Sequence, residues 1–211
     1  MKEGDIRFAK LLVLVNGLVP LALLVWDQSH HRLGANPQNF LILTTGMMAL
    51  IFLILTMAVT PVRKVFGLNW VIHLRRMFGL YAFFYACLHF LCFYSLDRAF
   101  SLSSTLHEIV ARKYIWFGLT ALLVMVPLAV TSTNAMIKRL GGKRWRALHR
   151  LAYVAAICGV IHYYMQVKAD VRQPLVFAAV LAILLVYRIL KYLRSRKPKP
   201  ATAVVTASVK K

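Results

Sequence analysis

Acidic side chains are scarce in this chain. Six of its 211 residues are Asp or Glu, against 27 Lys and Arg, which leaves a formal net charge of +21. There is no GxGxxG fingerprint and no stretch that reads as a soluble domain, so electrons are expected to come from a separate protein or a lipid-soluble carrier. The three cysteines, Cys87, Cys92 and Cys158, form no CxxC pair and fall inside apolar runs. They read as small buried side chains. Cys158, one turn before His162, keeps a minor role beside a cofactor open. Carboxylates are missing from the middle of the apolar runs, and Pro20 and Pro127 are the only mid-run prolines of note. That argues against a transporter, whose helices are often broken around a central site.

What is abundant is apolar length. The chain is 60% hydrophobic, and its mean hydropathy is +0.66. Six runs approach or reach the ~20 residues needed to cross a bilayer. They are Ile6–Trp26, Phe40–Val59, Met77–Leu96, Tyr114–Thr131, Trp145–Met165 and Pro174–Tyr192. Lipid offers no hydrogen-bond partners, so each span is expected to be a helix. The fold class is therefore all-α: a polytopic membrane bundle of six transmembrane helices in one domain, residues 1–196, followed by a disordered basic tail, 197–211. The first run is too long for a signal peptide, and no small-residue cleavage site follows it. The connection Asp97–Lys113 has room for a short amphipathic turn around Leu102, Leu106 and Ile109. No internal repeat stands out.

The positive charge is distributed by topology. Lys2, Arg7 and Lys10, then Arg63, Lys64, Arg75 and Arg76, then Lys138, Arg139, Lys143, Arg144, Arg146 and Arg150, and finally all those from Arg188 to Lys211 lie on one side. Only Arg32, Arg98, Arg112, Lys113, Lys168 and Arg172 fall on the other. The positive-inside rule then places both termini in the cytoplasm. A nucleic-acid-binding protein would instead show a basic stripe on a soluble fold, so no nucleic acid is expected as a partner; the bilayer is.

Three histidines stand inside or at the edge of apolar runs: His89, His149 and His162. An ionisable group at membrane depth is expensive and marks a functional site by default. Imidazole is also a usual axial ligand of haem iron. His89 lies ~18 Å into the third run and His162 ~25 Å into the fifth, counted from the same side. Two imidazoles at similar depth can ligate one haem from both faces. His149 lies ~20 Å below His162 along an ideal helix, a sensible spacing for a second haem, but its ring would point ~140° away. Its counterpart on the third run is Arg76 rather than histidine. His73, a water or nothing would complete a second site. The alternative for His89 and His162 is hydrogen bonding between helices, and for His149 an interfacial structural role. His30, His31, His73 and His107 read as solvated loop residues. Arg76 and Arg150 suit haem propionates or anionic lipid; snorkelling and topology explain them equally well.

A resemblance sharpens this. Arg75-Arg76-Met77-Phe78-Gly79-Leu80-Tyr81 leads to Leu88-His89. Thr45-Gly46 runs on to Val59-Thr60-Pro61, and Leu128-Ala129-Val130-Thr131-Ser132 follows later. Leu140-Gly141, Trp145, Leu148-His149-Arg150-Leu151, Tyr153, Ile161-His162-Tyr163 and Lys168 complete the pattern. In order and spacing these resemble the MsrQ (formerly YedZ) family, within the ferric-reductase-like transmembrane superfamily. Arg112-Lys113-Tyr114-Ile115 departs from the family's Arg-Pro-Tyr-Ile. The resemblance implies an electron-transfer subunit of the bacterial inner membrane carrying haem b, one or two per chain, with His89, His149 and His162 as iron ligands. It implies the quinone pool or a cytosolic flavin reductase as donor. The implied acceptor is a periplasmic MsrP-type molybdenum-cofactor enzyme, which reduces methionine sulfoxide in oxidised proteins. It also implies a bound FMN. The alternative is a cytochrome b-type anchor subunit of another dehydrogenase or of a ferric reductase.

Overall fold

The computed structural model describes residues 3–196; the tail expected to be disordered, 197–211, lies outside the described residues. Eight α-helices follow one another: α1 Glu3–Ser29, α2 Pro37–Val65, α3 Arg75–Cys92, α4 Leu102–Ala111, α5 Lys113–Val130, α6 Asn134–Leu148, α7 Leu151–Gln166 and α8 Arg172–Arg196. A 3-10 turn, Asn69–Leu74, leads into α3, and a π turn, Phe93–Asp97, leads out of it. Among the described residues, α1, α2, α3 with its flanking turns, α5 and α8 are long and apolar enough to cross a membrane, and α7 is a shorter apolar helix. The chain is a polytopic helical membrane protein.

Local chemistry sets several boundaries. Asn36 caps α2 by accepting a hydrogen bond from Asn39 N, with Pro37 in the first turn, where a missing N–H costs nothing. Ser101 caps α4 through Ser104 N, and Thr133 caps α6 through Met136 N. Ala99 and Phe100 adopt positive φ just after the π turn, and so reverse the chain into α4.

Two helix pairs form the centre. α2 lies along α3, and α5 lies along α7; the pairs meet through α3–α5 and α2–α7 contacts, and α8 packs on α2 and α7. The core between them contains Leu50, Phe52, Met57, Tyr81, Tyr85, Met125, Ala155 and Val160. Phe52 stacks on Tyr81 and Tyr85, with centroids 5.1 and 5.6 Å away. Ala155 and Ala156 are fully buried, and small residues of this kind let membrane helices approach closely. α1 rides outside on α3. Tyr81 Oη donates to Leu14 O and Tyr85 Oη to Gly17 O, at 2.5 and 2.7 Å. A Cβ at Gly17 would fall 2.5 Å from the Tyr81 ring. The other flank of α1, including Leu11, Leu18 and Val25, is exposed.

Four expectations change. The fifth run is divided: Trp145–Leu148 end α6, and α7 begins only at Leu151. The third run leaves α-helix at Cys92 instead of Leu96. The short amphipathic segment is present as α4, but it is turned over. Thr105 and Glu108 are its buried residues, while Leu102 and Leu106 are exposed. Cys87 is exposed too, with Cys92 and Cys158 half-buried. On a lipid-facing surface an apolar side chain loses nothing by facing outward, so periodicity alone does not say which face is the interior.

Candidate functional site

A cavity of about 320 Å³ opens between the two helix pairs, lined by side chains from α2, α3, α5 and α7. That is within the range of small-molecule and cofactor pockets. His89 from α3 and His162 from α7 both line it. Each stands one turn from the end of its helix, at the end of the bundle that carries α4. Their rings are 5.8 Å apart between centroids and nearly perpendicular, at 83°.

The two histidines are held in the same way. His89 Nδ1 lies 2.8 Å from Ile42 O, and His162 Nδ1 lies 2.7 Å from Tyr114 O. A backbone carbonyl only accepts, so Nδ1 is the protonated nitrogen in both rings, and Nε2 keeps its lone pair. One turn beyond each carbonyl is a glycine. A Cβ at Gly46 would fall 2.8 Å from His89 Nδ1, and one at Gly118 would fall 2.7 Å from His162 Nδ1. The glycines are therefore the space the imidazoles fill.

The two imidazoles could hold a metal centre between them. Neutral imidazole is the ligating form, and an Nδ1–H to carbonyl bond is the usual way to fix its orientation. Two metal–imidazole bonds of about 2 Å each, plus the ring radii, put centroids roughly 6 Å apart. Haem, a flat macrocycle whose iron takes one ligand on each face, fits this arrangement.

Comparison with known proteins agrees with the geometry. The model of the family described as "Ferric reductase like transmembrane component" matches residues 42–160. A protein of Herminiimonas arsenicoxydans is 43% identical over 201 residues, covering 94% of this chain and 92% of that one. A protein of Rhodospirillum rubrum is 46% identical over 200 residues, covering 93% and 94%. Both bear the name protein-methionine-sulfoxide reductase haem-binding subunit MsrQ. The chain belongs to the MsrQ family.

In this MsrQ-family chain the third histidine stands apart from the other two. His149 occupies the joint between α6 and α7, outside the membrane-crossing helices, and is not among the cavity's lining residues. Its Nε2 is 3.1 Å from Thr131 Oγ1, and the Trp145 ring stacks on it at 3.9 Å. Thr131 directs its own hydroxyl proton to Pro127 O, 2.6 Å away, so Oγ1 is the acceptor for His149 Nε2–H. Burial pushes the His149 pKa down, and the Arg75 and Arg76 charges act in the same direction, so this imidazole too is kept neutral. Arg76 and Arg150 are exposed at this same end, and neither lines the cavity. His73, in the 3-10 turn, is exposed, and its Nδ1 lies 3.0 Å from Trp70 O.

Sequence reasoning missed several residues of this MsrQ architecture. Gly118 gave no signal on its own; it becomes legible only when the register of α5 against α7 is known. Arg188 read as part of the basic carboxyl end, yet it is drawn into the bundle. It donates to Met57 O at 3.1 Å and to Tyr153 Oη, and its guanidinium lies 5.0 Å from the Tyr153 ring centre. The polar mouth of the cavity, formed by Asp97, Arg98, Glu108 and Arg112, was also passed over.

Proposed function

We propose that this MsrQ-family protein is the transmembrane electron-transfer subunit of a methionine sulfoxide reductase system. It lies in the bacterial inner membrane with both termini cytoplasmic, and holds haem b between His89 and His162. The carrying observation is the matched pair of imidazoles, each with Nδ1–H tied to a carbonyl and Nε2 left to coordinate. Haem bound there supplies one-electron storage as its iron alternates between ferric and ferrous. The chain's own part is to fix both ligands, to surround the macrocycle with apolar side chains such as Leu53, Met125 and Ala155, and to keep water from it. Electrons would enter at the α6 end from the quinone pool or a cytosolic flavin reductase. They would leave at the α4 end to a periplasmic MsrP-type molybdenum-cofactor enzyme, where the sulfoxide is reduced. The names carried by the relatives support this acceptor class over a ferric reductase or another dehydrogenase.

We extend the reading to a second haem at the α6 end, with His149 as ligand and Arg76 and Arg150 as neighbouring cations. His149 Nε2 would then exchange Thr131 for iron. We assign no residue to FMN.

The test is a reduced-minus-oxidised optical spectrum of the purified full chain, with haem counted per polypeptide. Low-spin bis-histidine haem b, lost in His89→Ala and in His162→Ala, is the expected result. A wild-type protein saturated with haem supply that still carries none would sink the reading. Two haems per chain, falling to one in His149→Ala, support the second site, and a single haem untouched by that substitution removes it.

A further inference from the structure

The cavity is polar at one end only. Asn39, Asp97, Arg98, Glu108, Arg112 and Gln166 line it at the α4 end, and the opposite end is apolar. Haem has the same asymmetry. One edge carries two propionate carboxylates, and the opposite edge carries only hydrocarbon substituents. Burying a carboxylate among apolar side chains without a partner is unfavourable, so the two asymmetries must match.

Resting on the reading that His89 and His162 hold a haem, we propose that Arg98 and Arg112 are its propionate cradle. Glu108 is the internal carboxylate that keeps the two guanidiniums converged. The haem is thereby inserted with its charged edge toward α4, away from Arg76 and Arg150.

Three observations carry this. Arg98 and Arg112 are the arginines that line the cavity among the described residues, and its lining contains no lysine. Both already grip a carboxylate in its mouth: Arg98 Nη1 is 3.4 Å from Glu108 Oε2, and Arg112 Nε lies against Glu108 Oε1. Glu108 is a buried acid in an acid-poor chain, at 8% exposure, and its Oε1 has no well-formed hydrogen bond. The grip is also unsaturated. A guanidinium has five N–H donors in a fork suited to carboxylates. Arg98 spends Nε and Nη2 on Asp97, at 2.9 and 2.5 Å, and holds Glu108 only loosely. Arg112 uses Nε toward Glu108 and Nη1 toward Tyr114 Oη, at 3.1 Å. Donors remain on both for a second carboxylate.

A cation beside haem favours the ferrous state, which has one positive charge fewer, and an anion disfavours it. Neutralising an arginine must therefore lower the midpoint potential, and neutralising Glu108 must raise it. A purely structural role for the cluster would give the same direction for both, since both substitutions break the same ion pairs. The experiment is a spectroelectrochemical titration of the purified full chain, following the haem component that His162→Ala abolishes. Arg98→Gln and Arg112→Gln are expected to lower its potential, Glu108→Gln to raise it, and Arg98→Lys to stay near wild type. The double variant Arg98→Gln/Arg112→Gln should lose a large part of its haem, read by pyridine haemochromogen. Arg76→Gln and Arg150→Gln should leave this component unmoved.

Shifts of one sign throughout, no shifts, or shifts in Arg76→Gln or Arg150→Gln instead would overturn the proposal while leaving the haem reading intact. If no component is lost in His162→Ala, the haem reading itself has failed. Arg112 is the C-cap of α4, at the cavity mouth with its side chain half-exposed, so its variant keeps the test available even if Arg98→Gln misfolds.

Discussion

Each of the two facing histidines depends on an atom that is not there. With a Cβ added at position 46 or 118, the imidazole would have to move by several tenths of an ångström and surrender its bond to Ile42 O or Tyr114 O. Overpacking of this kind costs about 1–3 kcal/mol, and loss of a ligand's orienting hydrogen bond typically weakens metal affinity 10- to 100-fold. Gly46→Ala and Gly118→Ala are therefore expected to lower haem retention through repeated washing, each by roughly tenfold or more, with helical content unchanged by circular dichroism. Thr131→Val acts at the other end. It releases His149 Nε2 and should raise the occupancy of the His149 site, read as haem per chain, without touching the component that needs His162. The histidines themselves were legible from the sequence, because an imidazole within an apolar run stands out. Their glycine partners were not, since a glycine facing a histidine on another helix leaves no local trace. The arginines were legible as charge but not as function: Arg76 and Arg150 drew attention by lying near histidines in sequence, while Arg98 and Arg112 reach the cavity through the folding back of α4.

Among the elements, α1 packs on the 3-10 turn Asn69–Leu74 and on α3. Two tyrosine hydroxyls of α3 donate to its backbone across a seam opened by Gly17. Interhelical hydrogen bonds in membranes average about 0.6 kcal/mol and reach about 1.7. Tyr85→Phe should cost that little, seen as a small drop in detergent melting temperature with an unaltered haem spectrum. Gly17→Leu should cost more and detach α1 while α2, α3, α5 and α7 retain the cofactor. Element existence was mostly well read from hydropathy, with the fifth span divided between α6 and the shorter α7. The joint at His149-Arg150 was not. Trp145 and Leu148 extend the apolar run of α7 backward, yet they close α6, where Trp145 Nε1 donates to Thr131 O at 2.9 Å. The break also removes the angular objection to a second site, because His149 and His162 do not share one continuous helix. α7 alone is 16 residues, about 24 Å, short of the ~30 Å hydrocarbon thickness.

For the whole molecule, charge decides orientation. The end carrying α6 also carries most of the lysines and arginines, and the α4 end carries Asp97, Glu108 and Asp170 with few cations. In a background lacking Cys87, Cys92 and Cys158, Ser103→Cys on α4 should react with an impermeant thiol reagent in intact spheroplasts. Lys143→Cys on α6 should react only after the membrane is opened. The reverse pattern would invert the topology and with it the direction assigned to electron flow. This expectation comes from the sequence alone, since the bias rests on counts along the chain and not on contacts.

Ile42, Gly46 and His89 on one helix pair have counterparts in Tyr114, Gly118 and His162 on the other. The carbonyl and its histidine are separated by 47 residues in the first set and 48 in the second. The glycine follows its carbonyl by four in both. The cleft is thus built from one local pattern used twice, carbonyl, glycine and histidine in each helix pair. If both imidazoles ligate one haem, the matched Nδ1–H to carbonyl bonds orient the two ligands alike. The repeated pattern also sets a rule for redesign: any change of ligand in one half has a ready-made counterpart position in the other, and altering both together should preserve the match that altering one destroys.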